Sequence, residues 1–260
     1  MALCGLLIVY LLLSLVVLPH LWYHREHQPG LALNSVVTET PLGIPGDPLN
    51  VGLIGTEDDV LAAMKKAGWY PADPIALKSS VRIVASVMLD RPYNDAPVST
   101  LLYEGRKQDL AYEKPIGNSA DRRNHVRFWQ VLAKGAEGRP VWLGSATMDA
   151  GVELSRDTGQ VTHHIAPDID DERNSLIADL TQAQVVTDIY QLSGIGPTLA
   201  GHNGGGDLYY TDGEIRVAVL SVDGRPASGP PKVEADPPLI TAKNQLWAVV
   251  SGLVAPAAPQ

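Results

Sequence analysis

Hydrophobic positions fall into three regimes along the chain. Residues 1–18 are almost unbroken apolar sequence, MALCGLLIVYLLLSLVVL, which at about 1.5 Å per residue spans roughly 27 Å, close to the hydrocarbon thickness of a bilayer. Pro19 closes the run, and Trp22 and Tyr23 stand where an interfacial aromatic belt would lie. A cleaved leader would carry a basic start and a small-x-small site. Neither is present, so residues 1–23 read as an uncleaved transmembrane anchor. Residues 24–48 are rich in Gly, Pro and polar side chains and read as a linker. A globular domain is expected over 49–225, followed by a Pro/Ala-rich tail over 226–260. The apolar stretch 246–259 inside that tail is short, and Gly252, Pro256 and Pro259 interrupt it, so it reads as a packed segment rather than a second span.

Within the globular region, residues 49–54 predict a short buried strand. Thr56 offers an N-cap with Asp59 three residues on, Glu57, Asp58 and Asp59 suit a helix start, and Gly68 suits its end. A second helix is expected from Ser79 or Ser80 to about Leu89, stopped by Arg91-Pro92. Three hairpins follow, joining 101–104 to 109–113, 125–132 to 140–147, and 152–155 to 161–165. A third helix fits residues 170–183, where acidic residues crowd the start and Leu176, Ile177 and Leu180 recur at helical spacing. Residues 208–210 and 215–220 flank Thr211-Asp212-Gly213, a strong turn signal. Strand runs with few helices and no regular βαβ alternation predict an α+β fold. It would have a mainly antiparallel sheet and about three helices, behind the N-terminal transmembrane helix.

Charge narrows the functions. Across 260 residues, 20 Lys+Arg against 29 Asp+Glu leave a net charge of −9. Such an acidic balance argues against nucleic acid and against electrostatic docking on anionic lipid. The one cysteine, Cys4, lies in the apolar run and excludes an intramolecular disulfide or a Cys-rich zinc site. Arg25 is a lone cationic flank and does not decide the membrane side.

The densest polar constellation runs from Asp149 to Arg173. In the third hairpin, a four-residue loop sets Val152 against His163 on one face and Gly151 against His164 on the other. Gly151 would leave room for a ligand at His164. With Asp168, and with Asp149 or Asp170 nearby, His164 could form an acid/base pair or a hard-cation site. The plainer alternative is a hydrogen-bonded core histidine at 163 and a surface one at 164. Metal binding stays open: the His/Asp set lacks the spacing of a helical zinc site, and the run from Asp168 to Glu172 lacks the glycine of a calcium loop. Arg123, His125 and Arg127 alternate along one strand, with Val126, Phe128 and Leu132 inward. That stripe would suit a phosphate, carboxylate or lipid headgroup, or else form a solvated face paired with acids. Gly201-His202-Asn203-Gly204-Gly205-Gly206 reads as a flexible linker loop. No cofactor is named by the sequence.

Four stretches together are specific: Gly46-Asp47-Pro48-Leu49-Asn50, Ala67-Gly68-Trp69-Tyr70-Pro71-Ala72-Asp73, Gly105-Arg106-Lys107-Gln108-Asp109-Leu110-Ala111, and Thr162-His163-His164-Ile165-Ala166-Pro167-Asp168. The chain resembles the bacterial LssY C-terminal domain family over roughly residues 46–220. The segment from Arg122 to Trp129 also resembles that family's pattern, with Asn124 where a second histidine is expected. The family is similar to parts of larger membrane proteins that carry a lipid-phosphatase-type module, and it takes its name from a type I secretion locus. With the single apolar run, the resemblance implies single-pass placement in a bacterial inner membrane, with the side of the globular domain open, beside an envelope or secretion protein. Two functions are then expected. One is a membrane-anchored accessory or binding domain. The other is a hydrolase of a phosphorylated or lipid-linked substrate, with His164, Asp168, Asp149 and His125 catalytic and Arg123 and Arg127 holding the anion.

Overall fold

The computed structural model describes residues 2–17, 28, 30–31, 34–72, 100–116, 123–154, 161–192 and 199–254. The helix expected near residues 79–89 and the turn Asp157-Thr158-Gly159 lie outside them. The apolar N-terminus forms α1 (Ala2–Leu12), continued by a π-helical turn, Leu13–Val17. Among the described residues no helix is long and apolar enough to cross a membrane.

The centre is a nine-stranded sheet. Its path runs β15 (Lys232–Val233), β11 (Val186–Leu192), β14 (Ile215–Leu220), β3 (Val51–Ile54), β9 (Val141–Leu154), β8 (Arg123–Leu132), β7 (Leu110–Pro115), β4 (Tyr70–Pro71), and β10 (Val161–Ile165) pairs the far half of β9. All its pairings are antiparallel except β3 with β14 and β11 with β15. An α+β architecture with a mostly antiparallel sheet is therefore what the chain adopts. Helices α2 (Glu57–Lys66) and α3 (Ile169–Gln182) cover one face, packing Val60, Met64, Leu176 and Leu180 onto Val126, Phe128 and Ala146.

The other face carries a second layer. A small sheet of β2 (Pro45–Pro48), β1 (Val37–Glu39), β5 (Leu102–Tyr103) and β6 (Arg106–Lys107) lies there. A second core unites Leu49, Leu101 and Tyr103 with Trp129, Val141 and Leu143. Two of these strands, β1 and β2, come from the segment read as a linker. Its tail counterpart likewise holds β15 and a helix, α4 (Pro238–Val254).

Two expected hairpins pair differently. Glu104 and Gly105, at φ +48° and +75°, close a two-residue turn that joins β5 to β6, so β7 is left to pair with β8. Thr211-Asp212-Gly213 is a turn, yet β13 (Leu208–Tyr210) pairs with β12 (Ala200–His202), and β14 goes to β11 and β3.

The start of α2 follows the sequence closely. Thr56 and Asp59 form a capping box, and Gly68 at φ +78° ends the helix with Trp69 N–H donating to the Met64 carbonyl. Burial works against charge on Asp59. Bonds from Thr56, from Arg139 Nη2 (2.7 Å) and from Asp223 N–H (2.7 Å) outweigh it and hold the carboxyl below its ordinary range. Asp59→Ala is expected to cost about 2–3 kcal/mol in urea unfolding at pH 7. Because the folded carboxyl titrates below 3.8, that advantage is full above the ordinary value and is lost as pH falls through the lowered one. A penalty unchanged at pH 2 would contradict it.

Candidate functional site

Alternation along β8 places Arg123, His125 and Arg127 on the face opposite the helices, as the sequence implies. Directly across on β9 stand Asp149, Thr147 and Ser145. This row continues the strip that holds Trp129 and Leu143, so the second face changes from apolar to polar midway along the two strands. Unlike an open cationic stripe, it is covered. His125, Arg127, Ser145, Thr147 and Asp149 are all buried.

The cover comes from β2 and from the glycine-rich loop between β12 and β13. Gly46 lets β2 approach closely, since a Cβ there would meet Thr38 Oγ1 at 2.6 Å and Leu101 at 2.8 Å. That approach sets Asp47 over Arg127, with Oδ2 3.5 Å from Nη1. Asn50, three residues on, holds the Ala146 amide and carbonyl at 2.9 Å each and the Ile169 carbonyl at 2.9 Å, fixing β9 against α3. In the loop, Asn203 Oδ1 accepts from Gly205 and Asp207 N–H, both at 2.9 Å, while its Nδ2 donates to Asp47 Oδ1 at 3.1 Å. A Cβ at Gly204 would meet Thr40 Cγ2 at 2.6 Å and the Pro45 carbonyl at 3.2 Å. The expected flexible linker is thus a packed loop bonded to β2.

Two imidazole–carboxylate pairs result. His125 Nε2 lies 2.7 Å from Asp149 Oδ2, deep in the layer. His164 Nδ1 lies 2.6 Å from Asp207 Oδ1, and Asp207 Oδ2 accepts the Ile165 N–H at 3.1 Å. The pairs are joined: Arg127 interacts with both Asp149 and Asp47, and Asn203 links Asp47 to Asp207. Burial pushes the Asp47 carboxyl above its ordinary range, with Asp149 and Asp207 adding to the rise and Arg127 and Asn203 opposing it. Burial also lowers the Arg127 guanidinium, against the pull of Asp47 and Asp149. Among the described residues of this network His164 is the most exposed, its side chain at 33%.

The acid partner expected for His164 is therefore corrected. Asp168 instead caps α3, accepting from Asp170 N–H at 3.1 Å, and burial with neighbouring Asp171 raises its carboxyl. Asp149 serves His125 rather than His164. Asp170 accepts from Thr211 and Asp212 and pairs with Arg173; burial pushes it up to about 6, Arg173 opposing and Asp212 reinforcing. Arg123 donates to Glu113 Oε2 at 3.2 Å. Both arginines assigned to an anion are thus held by carboxylates. His163 pairs with Val152 and His164 with Gly151 in the expected register. Among the described residues no group of three or more His, Cys, Asp or Glu is placed to hold a metal ion.

Sequence reasoning missed Asp47, Asn203, Asp207, Ser145 and Thr147. The last two were legible as the polar partners opposite Arg127 and His125 once the hairpin was drawn. Asp207 closes a loop whose glycines read as slack. An imidazole oriented by one nitrogen on a carboxylate, on a partly exposed side chain, can accept and return a proton through the other nitrogen. Comparison with curated proteins found no match, and none was found among solved structures. Asp47 and His164 both come from stretches that carry the resemblance, and a family model described as the LssY C-terminus matches residues 25–215, so the chain belongs to that family.

Proposed function

We propose that this chain is a membrane-tethered hydrolase domain, acting through His164 and Asp207 on a lipid-linked substrate. One observation carries the chemistry: the 2.6 Å contact between His164 Nδ1 and an Asp207 carboxylate that is itself bonded to the Ile165 amide and Asn203. A carboxylate accepts, so Nδ1 carries the proton and Nε2 keeps its lone pair for a water nucleophile. Asp207 then stabilises the imidazolium that forms. Since Arg123 and Arg127 are engaged by Glu113, Asp47 and Asp149, the grip on a phosphate dianion loses support, and the lipid-linked substrate is the better fit.

The tether rests on composition and exposure. Helix α1 is apolar around its whole circumference, and Leu3, Leu6, Leu7, Ile8, Val9 and Tyr10 are all exposed. A helix apolar on every side requires lipid or protein around it, and the sequence of the first 18 residues would span about 27 Å as a continuous α-helix. The family's bacterial membrane setting, implied by the resemblance, makes a bacterial inner membrane the location we propose for that tether.

The second reading is an accessory or binding domain beside an envelope or secretion protein. Burial of Asp47, His125, Arg127 and Asp149 favours it, because that network would then serve as an internal clasp. The test uses the full chain in phosphatidylcholine vesicles against chromogenic carboxylic esters, phosphodiesters and phosphomonoesters. Wild type is expected to turn over an ester in preference to a phosphomonoester, with His164→Ala and Asp207→Asn each slower by about 10²–10⁴-fold. No turnover by wild type, or equal turnover by both variants at unchanged melting temperature, leaves the accessory reading.

A further inference from the structure

Helix α4 faces the wrong way for an ordinary surface helix. Leu239, Ala242, Leu246 and Val249, at helical spacing, form a row that is exposed throughout. Its one charged residue, Lys243, turns inward to bond Glu214 and the Asp212 carbonyl. Ile240 is buried beside it. The outward side of α4 thus carries no charge at all, and Pro238, Thr241, Gln245 and Ala248 are the other exposed residues among those described. Trp247 is half-buried along the same helix.

Position in the fold gives this row meaning. Gln28 is fully buried and binds Tyr190 OH (2.7 Å), Glu137 and the Ala136 N–H (2.9 Å), so the chain entering from the apolar run is fixed at the turn between β8 and β9. From Leu18 to Gln28 the backbone can reach at most about 35 Å. Helix α4 is fixed further along the sheet, where Lys243 holds Asp212 and Glu214. Glu214 precedes β14, whose Arg216 aligns with Val51, and Val51 with Gly144 on the way to Asp149 and the His164 pair. The two attachments are separated by roughly 17 Å along β9 at about 3.3 Å per residue, with Glu214 on the side toward the His164 pair.

We propose that the exposed row of α4 lies in the bilayer surface as a second membrane contact, bringing the His164 end of the sheet down to lipid. The inference rests on the tether reading and supplies what that reading lacks, since one attachment at the Gln28 end leaves His164 free to stand far from its substrate. A second copy of the chain fits the row less well. Among the side chains described, the row extends about 15 Å along the helix, short of a coiled coil of several heptads and of the roughly 800 Å² per partner of a stable interface. Neutral lipid suits an uncharged face, and aromatic residues such as Trp247 favour the interfacial depth.

The experiment places a fluorescent NBD label at Leu246→Cys in a Cys4→Ser full chain, reconstituted in phosphatidylcholine vesicles with and without brominated acyl chains. A parallel sample carries the label at Val9→Cys. The Leu246 label is expected to emit blue-shifted and to lose roughly half its emission to brominated lipid, with little dependence on salt. Emission typical of water at 246 with quenching at 9 overturns the α4 contact and keeps the tether. Quenching at 246 without quenching at 9 keeps the contact and removes the tether. A blue-shifted label at 246 that brominated lipid does not quench, joined by oxidative disulfide cross-linking between copies of the unlabelled Leu246→Cys chain, overturns the proposal in favour of a dimer.

Discussion

Arg127→Ala is expected to lower unfolding free energy by about 3–5 kcal/mol at pH 7, the cost of leaving buried charge without its counterpart. Arg127 is buried between Asp47 and Asp149, and the arginine is what tempers the rise of the Asp47 carboxyl. Without it the two acids face each other in a dry layer. The raised folded value fixes the sign: stability from protonated Asp47 is full below 3.8 and is lost as pH rises through the folded value. Removing Arg127 lifts that value further, so the variant's deficit should be larger at pH 8 than at pH 5. Urea unfolding of both proteins at the two pH values reads this directly. The paired replacement Asp47→Leu with Arg127→Met should recover most of the loss, because an apolar pair carries no desolvation cost. A deficit under about 1 kcal/mol, flat with pH, would show that water reaches the layer.

Glu172→Gln is the second large effect, and its direction is stabilising. Glu172 sits in α3 and is buried, and its Oε1 has no hydrogen-bond partner among the described residues. Burial raises its carboxyl to about 9, with Asp179 and Asp171 adding and Lys114 opposing. The folded protein therefore keeps a proton that the unfolded chain releases above 4.5. Stability from this group is full below 4.5 and declines as pH rises toward 9, at up to about 1.4 kcal/mol per pH unit. A glutamine presents the neutral shape without titrating. It should match wild type near pH 4.5 and exceed it by about 2–3 kcal/mol at pH 7, after allowing for residual hydration. Parallel pH profiles for the two proteins would refute the assignment.

What the sequence made legible was local. Thr56 and Asp59 cap α2 because capping depends on residues three apart, and His163 and His164 fall in register because loop length alone sets strand pairing. What it hid depends on distant segments. Leu110–Pro115 alternates in the same way whether its partner is β5 or β8, and only the tight turn at Glu104-Gly105 decides. Polar alternation at Arg123, His125 and Arg127 ordinarily signals a wet face. Here β2 and the Asn203 loop cover it, and neither looks like a covering element: one is short and proline-bounded, the other mostly glycine. Asp207 took the place expected of Asp168 because helix capping at Asp168 uses that carboxylate locally. The glycines that suggested slack at 204–206 include one, Gly204, that permits contact with β2.

Parallel pairing of β3 with β14 carries a consequence for biogenesis. Val51 needs Arg216 as its neighbour, so an interior strand made early waits for one made late. At about 5–20 residues per second of synthesis, roughly 10–30 seconds separate β3 from β14, and for about the last 4–14 of them β3 is paired on one edge only. Chaperone capture during that interval should concentrate on the exposed flank of β3, and chains stopped before Ile215 should be degraded rather than accumulate.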